Sequence, residues 1–212
     1  MISTKRVLLQ GLMAAALSMG LAAPLLAADA SAPDLLIRQL SMETLEAVKA
    51  DKSFQTGDVQ KIIALVDAKV MPHINFQRMT ASAVGRFWRQ ATPEQQKRLQ
   101  DEFKTLLVRT YAGALREVKD QTIALKPLRS SPDDTEVVVK TEIRGKGEAI
   151  QLDYRLEKLG AVWKIYDVNV LGIWLADQYK NSFAQEIGAN GIDGLIKTLV
   201  DRNQKAAAPA KS

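Results

Sequence analysis

The chain has 212 residues, with 29 Lys and Arg against 24 Asp and Glu, one histidine and no cysteine. The lack of cysteine excludes disulfides, thiolate metal sites and a cysteine nucleophile, and a single histidine gives little support to a histidine-rich metal site or a catalytic triad. The formal net charge of +5 is too small to favour nucleic-acid binding, since proteins of that class concentrate more positive charge.

The first residues predict an export signal. Lys5 and Arg6 precede a long apolar run, and Pro24 and small residues follow it, which is the layout of a cleavable secretory signal peptide. We predict a signal peptide over residues 1–28, a single α+β domain over 29–205 and a disordered tail over 206–212. The apolar run is nearly long enough to span a bilayer, so an uncleaved anchor is the alternative. Cleavage would leave a mature net charge of about +3.

Helical periodicity dominates the first half of the mature chain. Residues 33–50 place apolar side chains along one helical face. Asp58 is predicted to cap a second helix, which Pro72 ends. A shorter helical pair is predicted over 75–84 and 86–90.

A longer helix begins after Thr92. Thr92 suits the capping position, Pro93 suits the first helical position, and Gln95 can complete a capping box. A continuous apolar stripe follows, which predicts a helix with one buried face.

The apolar period changes from 3.6 to 2 in the second half. Residues 135–144 and 148–157 alternate apolar and polar side chains, and short glycine-containing turns separate the strands. Residues 161–171 are apolar on both faces and predict a central strand. Residues 121–128 predict an edge strand, because Pro127 cannot donate to a ladder. The fold class is therefore α+β: N-terminal helices, a roughly four-stranded antiparallel sheet, and C-terminal helices folded across it.

Two carboxylates are candidates for chemistry within the sheet. A buried aspartate with a raised pKa can act as a general base, so an exported isomerase or hydrolase using Asp167 is the alternative function. A structural hydrogen-bonding role is the stronger prediction for Asp167. Asp153 alternates with Leu152 and Tyr154 and is expected to face water. His73 lies beside a predicted helix end, where capping is commoner than catalysis.

Large apolar side chains are plentiful. A sheet with one apolar face needs helices to cover it, and a cavity opens where the helices stand away from the sheet. The candidate lining residues are Phe103, Leu106, Tyr111, Val137, Val139, Ile143, Ile150, Leu152, Tyr154, Val168, Val170, Leu175, Tyr179 and Phe183.

Basic residues cluster between the short helical pair and the long helix. The cluster consists of Arg78, Arg86, Arg89, Lys97 and Arg98. It is either a solvated helical surface or a patch for a phosphate headgroup or an acidic partner protein.

A set of short motifs carries a family resemblance. The motifs are Val70-Met71-Pro72 with Phe76 and Met79, Gly85–Trp88, Ala91–Gln95, Phe103 with Leu106–Leu115, Trp163–Val168 with Gly172, and Gly191–Leu195. Their order behind a signal peptide resembles the MlaC, or toluene-tolerance, family of periplasmic phospholipid-binding proteins. The resemblance covers nearly all of the mature chain.

The resemblance implies a monomeric periplasmic carrier without catalysis, cofactor, metal or nucleic acid. Such a carrier shuttles glycerophospholipid between the outer and inner membranes of a Gram-negative cell and helps maintain outer-membrane lipid asymmetry. The implied partners are an outer-membrane lipoprotein–porin complex and an inner-membrane ABC transporter with a lipid-binding ring. On this reading the predicted cavity binds lipid, and the basic cluster is the candidate docking patch.

Overall fold

The computed structural model describes residues 32–54, 56–115, 118–131 and 133–206. The predicted signal peptide and all of the predicted tail except Ala206 lie outside the described residues.

The described residues form helices, then strands, then a final helix. The α-helices are α1 (Pro33–Ala50), α2 (Val59–Leu65), α3 (Phe76–Val84), α4 (Pro93–Leu115) and α5 (Leu175–Lys205). The strands are β1 (Thr122–Leu125), β2 (Glu136–Arg144), β3 (Ile150–Leu159), β4 (Val162–Val170) and β5 (Ile173–Trp174), which form one antiparallel sheet in the order β1-β2-β3-β4-β5. The predicted α+β class and element order are confirmed. The sheet has five strands where four were predicted, because two residues after a tight turn pair with the end of β4.

The predicted helix starts are seen in the hydrogen bonds of the caps. The Asp58 carboxylate accepts from the backbone N–H groups of Gln60 and Lys61 at the start of α2. At α4 the Gln95 N–H donates to Thr92 Oγ1 at 3.2 Å, and the Thr92 N–H donates to Gln95 Oε1 at 3.0 Å. These bonds satisfy donors that have no partner within the helix, so both helices begin where the sequence indicates.

Two helical segments differ from their predictions. The helix after Asp58 widens into a π-helix over Val66–Val70 and then tightens into a 3₁₀-helix over Met71–His73, so it changes form before Pro72 stops it. The segment Gly85–Gln90 is also a 3₁₀-helix rather than an α-helix.

The sheet has an inner face covered by helices and an outer face. Val137 and Val139 of β2 lie opposite Leu156 and Tyr154 of β3, and all four side chains belong to the inner face. α1 packs on this face through Ile37 and Leu40.

The other helices form a second packed layer over β4. Residues of α3, α4 and α5 make one buried cluster, against which Val168 and Val170 of β4 pack. The cover of the inner face is therefore divided: α1 lies over β1 and β2, and α3 and α5 pack against β4.

β4 is less central than predicted. Only Asn169 and Val170 pair with β5, and the earlier part of its free edge is met by the segment before α3, where the Asn75 N–H donates to the Ile165 carbonyl at 2.7 Å. Its apolar composition is explained by the helices that pack against it as well as by strand pairing.

The C-terminal region consists of two helical segments that meet at a kink, in agreement with the predicted C-terminal helices. α5 continues to Lys205 and bends at Gly191, where φ is +73° and ψ is −179°. Glycine adopts this φ without a side-chain clash, so the kink between the two helical segments falls at Gly191.

Candidate functional site

An apolar cavity of about 240 Å³ lies between α1 and the inner face of the sheet. Its walls are formed by Leu40, Ser41, Thr44, Leu45, Val48, Val70, Ile74, Leu115, Val118, Ile123, Ile143, Leu152, Tyr154, Ile165 and Val168. α1 forms one side, four strands form the other, and the ends of the π-helical and α4 segments close the space between them.

The few polar groups in the walls are already bonded within the protein. The Thr44 hydroxyl donates to the Leu40 carbonyl at 2.7 Å, as a threonine within a helix commonly does. The Tyr154 hydroxyl hydrogen-bonds with Ser41 and Thr141, and burial raises the pKa of Tyr154 to about 12. The cavity therefore offers hydrocarbon walls to a ligand rather than charge or a nucleophile.

Four of the predicted lining residues lie in these walls. Ile143, Leu152, Tyr154 and Val168 come from three adjacent strands and share the inner face. Strand alternation places these residues on one face of the sheet, because successive side chains point to opposite faces.

The helical candidates lie in a different place. The Phe103 ring packs edge-on against Tyr179 and Phe183, with ring centroids 5.1 and 5.3 Å away. Leu175 is buried in the same cluster, and Leu106, Tyr111, Tyr179 and Val170 pack against it. These candidates pack against one another between helices α3, α4 and α5, and none of them lines the cavity.

The remaining strand candidates also lie outside the cavity walls. Val137 and Val139 are buried in the cluster that Ile37 and Leu40 of α1 form with the sheet. Ile150 is on the inner face but is 42% exposed, because it lies at the end of β3 beyond the cover of α1.

Sequence reasoning missed the contribution of α1. Ser41, Thr44 and Leu45 were not predicted to line the cavity, although the apolar face of α1 was recognised. Amphipathic periodicity identifies a buried face but does not say which part of the protein that face covers.

Asp167 is buried on the outer side of β4 and is 2% exposed. Its Oδ1 accepts from the N–H groups of Val168 at 2.9 Å and Ala176 at 3.1 Å, and its Oδ2 lies 3.1 Å from Arg155 Nη1. Burial raises the pKa of Asp167, although the two N–H groups and Arg155 act to lower it. The bond to Ala176 satisfies a free donor at the start of α5, so Asp167 caps that helix from the neighbouring strand.

Asp153 corrects a second expectation. It lies on the face opposite Leu152 and Tyr154, as the alternation requires, but it is 4% exposed and does not face water. Its carboxylate accepts from the Thr141 N–H and from the Gln151 side-chain amide. The neighbouring strand and the Gln151 side chain therefore cover the Asp153 carboxylate and supply its hydrogen bonds.

One residue of the basic cluster, Arg78, forms ion pairs with acidic residues that lie far away in the sequence. Arg78 reaches Glu136 at 2.6 Å and Glu157 at 2.5 Å, and its guanidinium stacks on Tyr166. Arg78 therefore ties α3 to the sheet. Glu136 and Glu157 are distant from Arg78 in sequence, so these ion pairs could not be predicted from the residues around Arg78.

The other four basic residues are exposed in two different settings. Lys97 pairs with Asp101 and Arg98 with Glu102, each one turn along α4. Arg86 stacks against Phe87, and neither Arg86 nor Arg89 forms an ion pair with any described residue. Of the five residues of the basic cluster, only Arg86 and Arg89 have no ion pair with a described residue, which leaves their guanidinium groups available to an external acid.

Two other kinds of site find no support among the described residues. No group of three histidine or carboxylate side chains within the described ranges could hold a metal ion.

His73 is half-buried in the 3₁₀ segment, where burial and the nearby Lys164 lower its pKa while Glu43 raises it. Among the helices described, each is too short or too polar to cross a bilayer.

Known proteins resemble this chain along most of its length. The MlaC family model matches residues 38–201. The toluene tolerance protein ttg2D of Pseudomonas putida is 29% identical over 178 residues, which are 83% of this chain and 82% of that protein. The intermembrane phospholipid transport system binding protein MlaC of Haemophilus influenzae is 21% identical over 183 residues, or 84% of each.

A solved structure shares the fold as well. It is a phospholipid-binding protein from Ralstonia solanacearum in complex with a phospholipid, and it matches with a TM-score of 0.80 at 46% identity. The match covers 82% of this chain and 98% of that one.

Proposed function

The chain belongs to the MlaC protein family, and we propose that it is a periplasmic phospholipid carrier that shuttles glycerophospholipid between the outer and inner membranes. The observation that carries this proposal is the apolar cavity between α1 and the sheet. A related structure at 46% identity holds a phospholipid, which supports the same class of ligand here.

Acyl chains need an enclosed binding site. Two chains expose roughly thirty methylenes, and at about 0.8 kcal/mol each their transfer to water costs near 24 kcal/mol. A shallow surface groove would leave most of that cost in place. Walls of leucine, isoleucine and valine supplied by α1 and the sheet are suited to hiding the chains.

Extraction of lipid from vesicles tests the proposal. Lipid-free protein is mixed with vesicles that contain fluorescent diacyl phospholipid, and the vesicles are then removed by centrifugation. We expect labelled lipid in the protein fraction and its later appearance in acceptor vesicles. Protein that leaves the label in the donor vesicles at every concentration would contradict the proposal.

The competing function is a hydrolase or isomerase with Asp167 as its base. Asp167 is enclosed and bonded to Arg155 and to two backbone N–H groups, which favours a structural role over proton transfer. Lysolipid or fatty acid that forms in proportion to protein, and disappears in Asp167→Asn, would favour the enzyme. The carrier releases its lipid chemically unchanged.

We propose that Arg86 and Arg89 form the surface at which a membrane-bound partner docks. The implied partners are the outer-membrane lipoprotein–porin complex and the inner-membrane ABC transporter with its lipid-binding ring. Both arginines are exposed and unpaired within the described chain, and such groups steer association with an acidic surface.

Charge reversal tests this patch. In Arg86→Glu/Arg89→Glu we expect slower transfer to the transporter, a weaker salt dependence of the association rate, and normal bound lipid. The control Lys97→Glu/Arg98→Glu makes the same change in charge at residues already paired within α4. Transfer kinetics and a salt dependence equal to those of wild type in Arg86→Glu/Arg89→Glu would remove Arg86 and Arg89 from the interface.

The proposed location follows from the predicted signal peptide at residues 1–28. Export predicts that protein recovered from the periplasmic fraction starts close to residue 29. Intact mass measurement of that fraction checks the position, and a mass that retains residues 1–28 would favour an anchored form.

A further inference from the structure

A second concave site lies next to the apolar cavity. It is a groove of about 630 Å³ at the end of the sheet, where the residues before β1 meet the turn between β2 and β3. We call it the end groove. Its walls include Lys119, Asp120, Lys146 and Glu148, and Ile143 and Ile150 form its apolar part.

The end groove and the cavity share a wall. Ile143 lines both, and it is paired in register with Ile150, which lines the groove. The chain also passes from one site to the other between consecutive residues, since Val118 borders the cavity and Lys119 borders the groove. The two sites are therefore adjacent, as a ligand with an apolar part and a polar part requires.

The groove offers exposed charges of both signs. Lys119, Asp120, Lys146 and Glu148 are all exposed, and none of the four forms an ion pair with another described residue. Two cations and two anions thus remain available to a ligand. Other basic groups nearby are engaged: Arg144 pairs with Glu142.

The wall that carries Lys119 is fixed in place. The Lys119 N–H donates to Gln121 Oε1 at 2.6 Å, and the Gln121 carbonyl accepts from Lys49 Nζ at 2.8 Å. The Gln121 side chain also lies over Gly145, where an added Cβ would come within 3.0 Å of it. This close approach places the segment before β1 directly against the β2–β3 turn, where the two together form the groove.

We propose that the end groove binds the headgroup of a zwitterionic glycerophospholipid, with its phosphate at Lys119 and Lys146 and its ammonium at Asp120 and Glu148. The inference rests on the proposed function, because the acyl chains must lie in the adjoining cavity. A headgroup with only negative charge would satisfy the lysines but would face two carboxylates without a partner. A zwitterion satisfies both pairs, which predicts selectivity for phosphatidylethanolamine over phosphatidylglycerol.

Competitive loading tests the headgroup site. Protein is incubated with vesicles that contain equal amounts of phosphatidylethanolamine, phosphatidylglycerol and diacylglycerol with identical acyl chains, and bound lipid is counted by native mass spectrometry. Wild type is expected to take phosphatidylethanolamine in preference to the other two. Lys119→Gln/Lys146→Gln should lower phospholipid loading about tenfold, with diacylglycerol unaffected.

The acidic pair has its own signature. Asp120→Asn/Glu148→Gln should shift the bound ratio towards phosphatidylglycerol without lowering the total. The control Arg129→Gln/Lys140→Gln removes two exposed basic groups from a different groove, on the other side of the sheet, and should behave as wild type.

Two results would overturn the inference in distinguishable ways. Equal loading of the three lipids, or basic and acidic variants that match the control, would remove the headgroup site while the carrier function stands. Failure of wild type to take up any of the three lipids would overturn the proposed function and this inference together.

Discussion

Leu152 is a residue at which cavity volume can be changed without touching the helical cluster. Its side chain is half-buried on the inner face and lines the cavity. In Leu152→Trp we expect the larger ring to occupy space that a ligand would use, which should reduce lipid loading about tenfold or more. The expected loss of stability is at most about 1–3 kcal/mol, as for other overpacked sites.

Val138→Trp provides the matched control for this prediction. Val138 lies on the outer face of the neighbouring strand and is exposed, so the same residue type is added outside the cavity between α1 and the sheet. Lipid counted per protein after identical loading checks both variants. Equal loading of Leu152→Trp and Val138→Trp would show that Leu152 does not border the bound lipid.

Tyr154 is expected to make the folded state less stable as the pH rises in the alkaline range. Burial raises its pKa from 10.0 to about 12, so the folded protein retains a proton that the unfolded chain loses between these values. The unfolded state then binds fewer protons, and stability falls as pH rises through this window. A shift of this size corresponds to a loss of about 3 kcal/mol.

Tyr154→Phe should lack this decline. The variant forgoes the hydrogen bonds to Ser41 and Thr141 and is expected to be less stable near neutral pH. Urea unfolding of both proteins between pH 9 and 12 measures the difference. If the two stability curves stay parallel through that range, Tyr154 is not the group that titrates.

The join between β4 and α5 depends on one carboxylate. Asp167→Ala removes the cap of Ala176 and leaves Arg155 without its buried partner, so we expect a loss of about 1–3 kcal/mol in the free energy of unfolding. Asp167→Asn retains an acceptor for the N–H groups and should lose less. Denaturant unfolding with an unchanged slope checks the effect.

Asp177→Ala is the control for this helix start. Asp177 also contacts Arg155, but its side chain is 63% exposed, and its removal should change stability by about 0.5 kcal/mol or less. If the Asp167 and Asp177 variants were equally stable, the capping role of Asp167 would be wrong.

Helices and strands could be predicted from the sequence where the pattern that specifies them involves residues close together in the chain. The Thr92 capping box and the period-2 alternation of β2 and β3 depend on residues a few positions apart, and both match the structure. The placement of α1 over the cavity depends on contacts between distant segments. The same reason explains why Phe103 and Phe183 were assigned to the cavity although they pack against each other.

Contacts between segments that are distant in sequence also determine which charged residues are exposed and unpaired. Arg78 and Asp153 both looked solvent-facing in their own segments. The structure brings Glu136 and Glu157 to Arg78 and encloses Asp153 within the sheet. Neither arrangement has a signal in a single sequence, because each partner lies on another element.

The whole molecule must open to take up a complete lipid. A cavity of about 150 Å³ holds one benzene molecule, whereas two acyl chains contain about thirty carbons. The 240 Å³ cavity therefore accepts only part of the chains in this conformation. The rings around Phe103 contact one another directly, so we expect the cavity to expand where α1 covers the sheet.

Native mass spectrometry of the gently purified protein tests the carrier account most directly. Protein produced in a lipid-rich Gram-negative host and kept free of detergent is expected to show an added mass of one intact diacyl phospholipid. Release in organic solvent should return that lipid chemically unchanged. Recovery of only ligand-free protein under these conditions, or of hydrolysed lipid alone, would contradict the account.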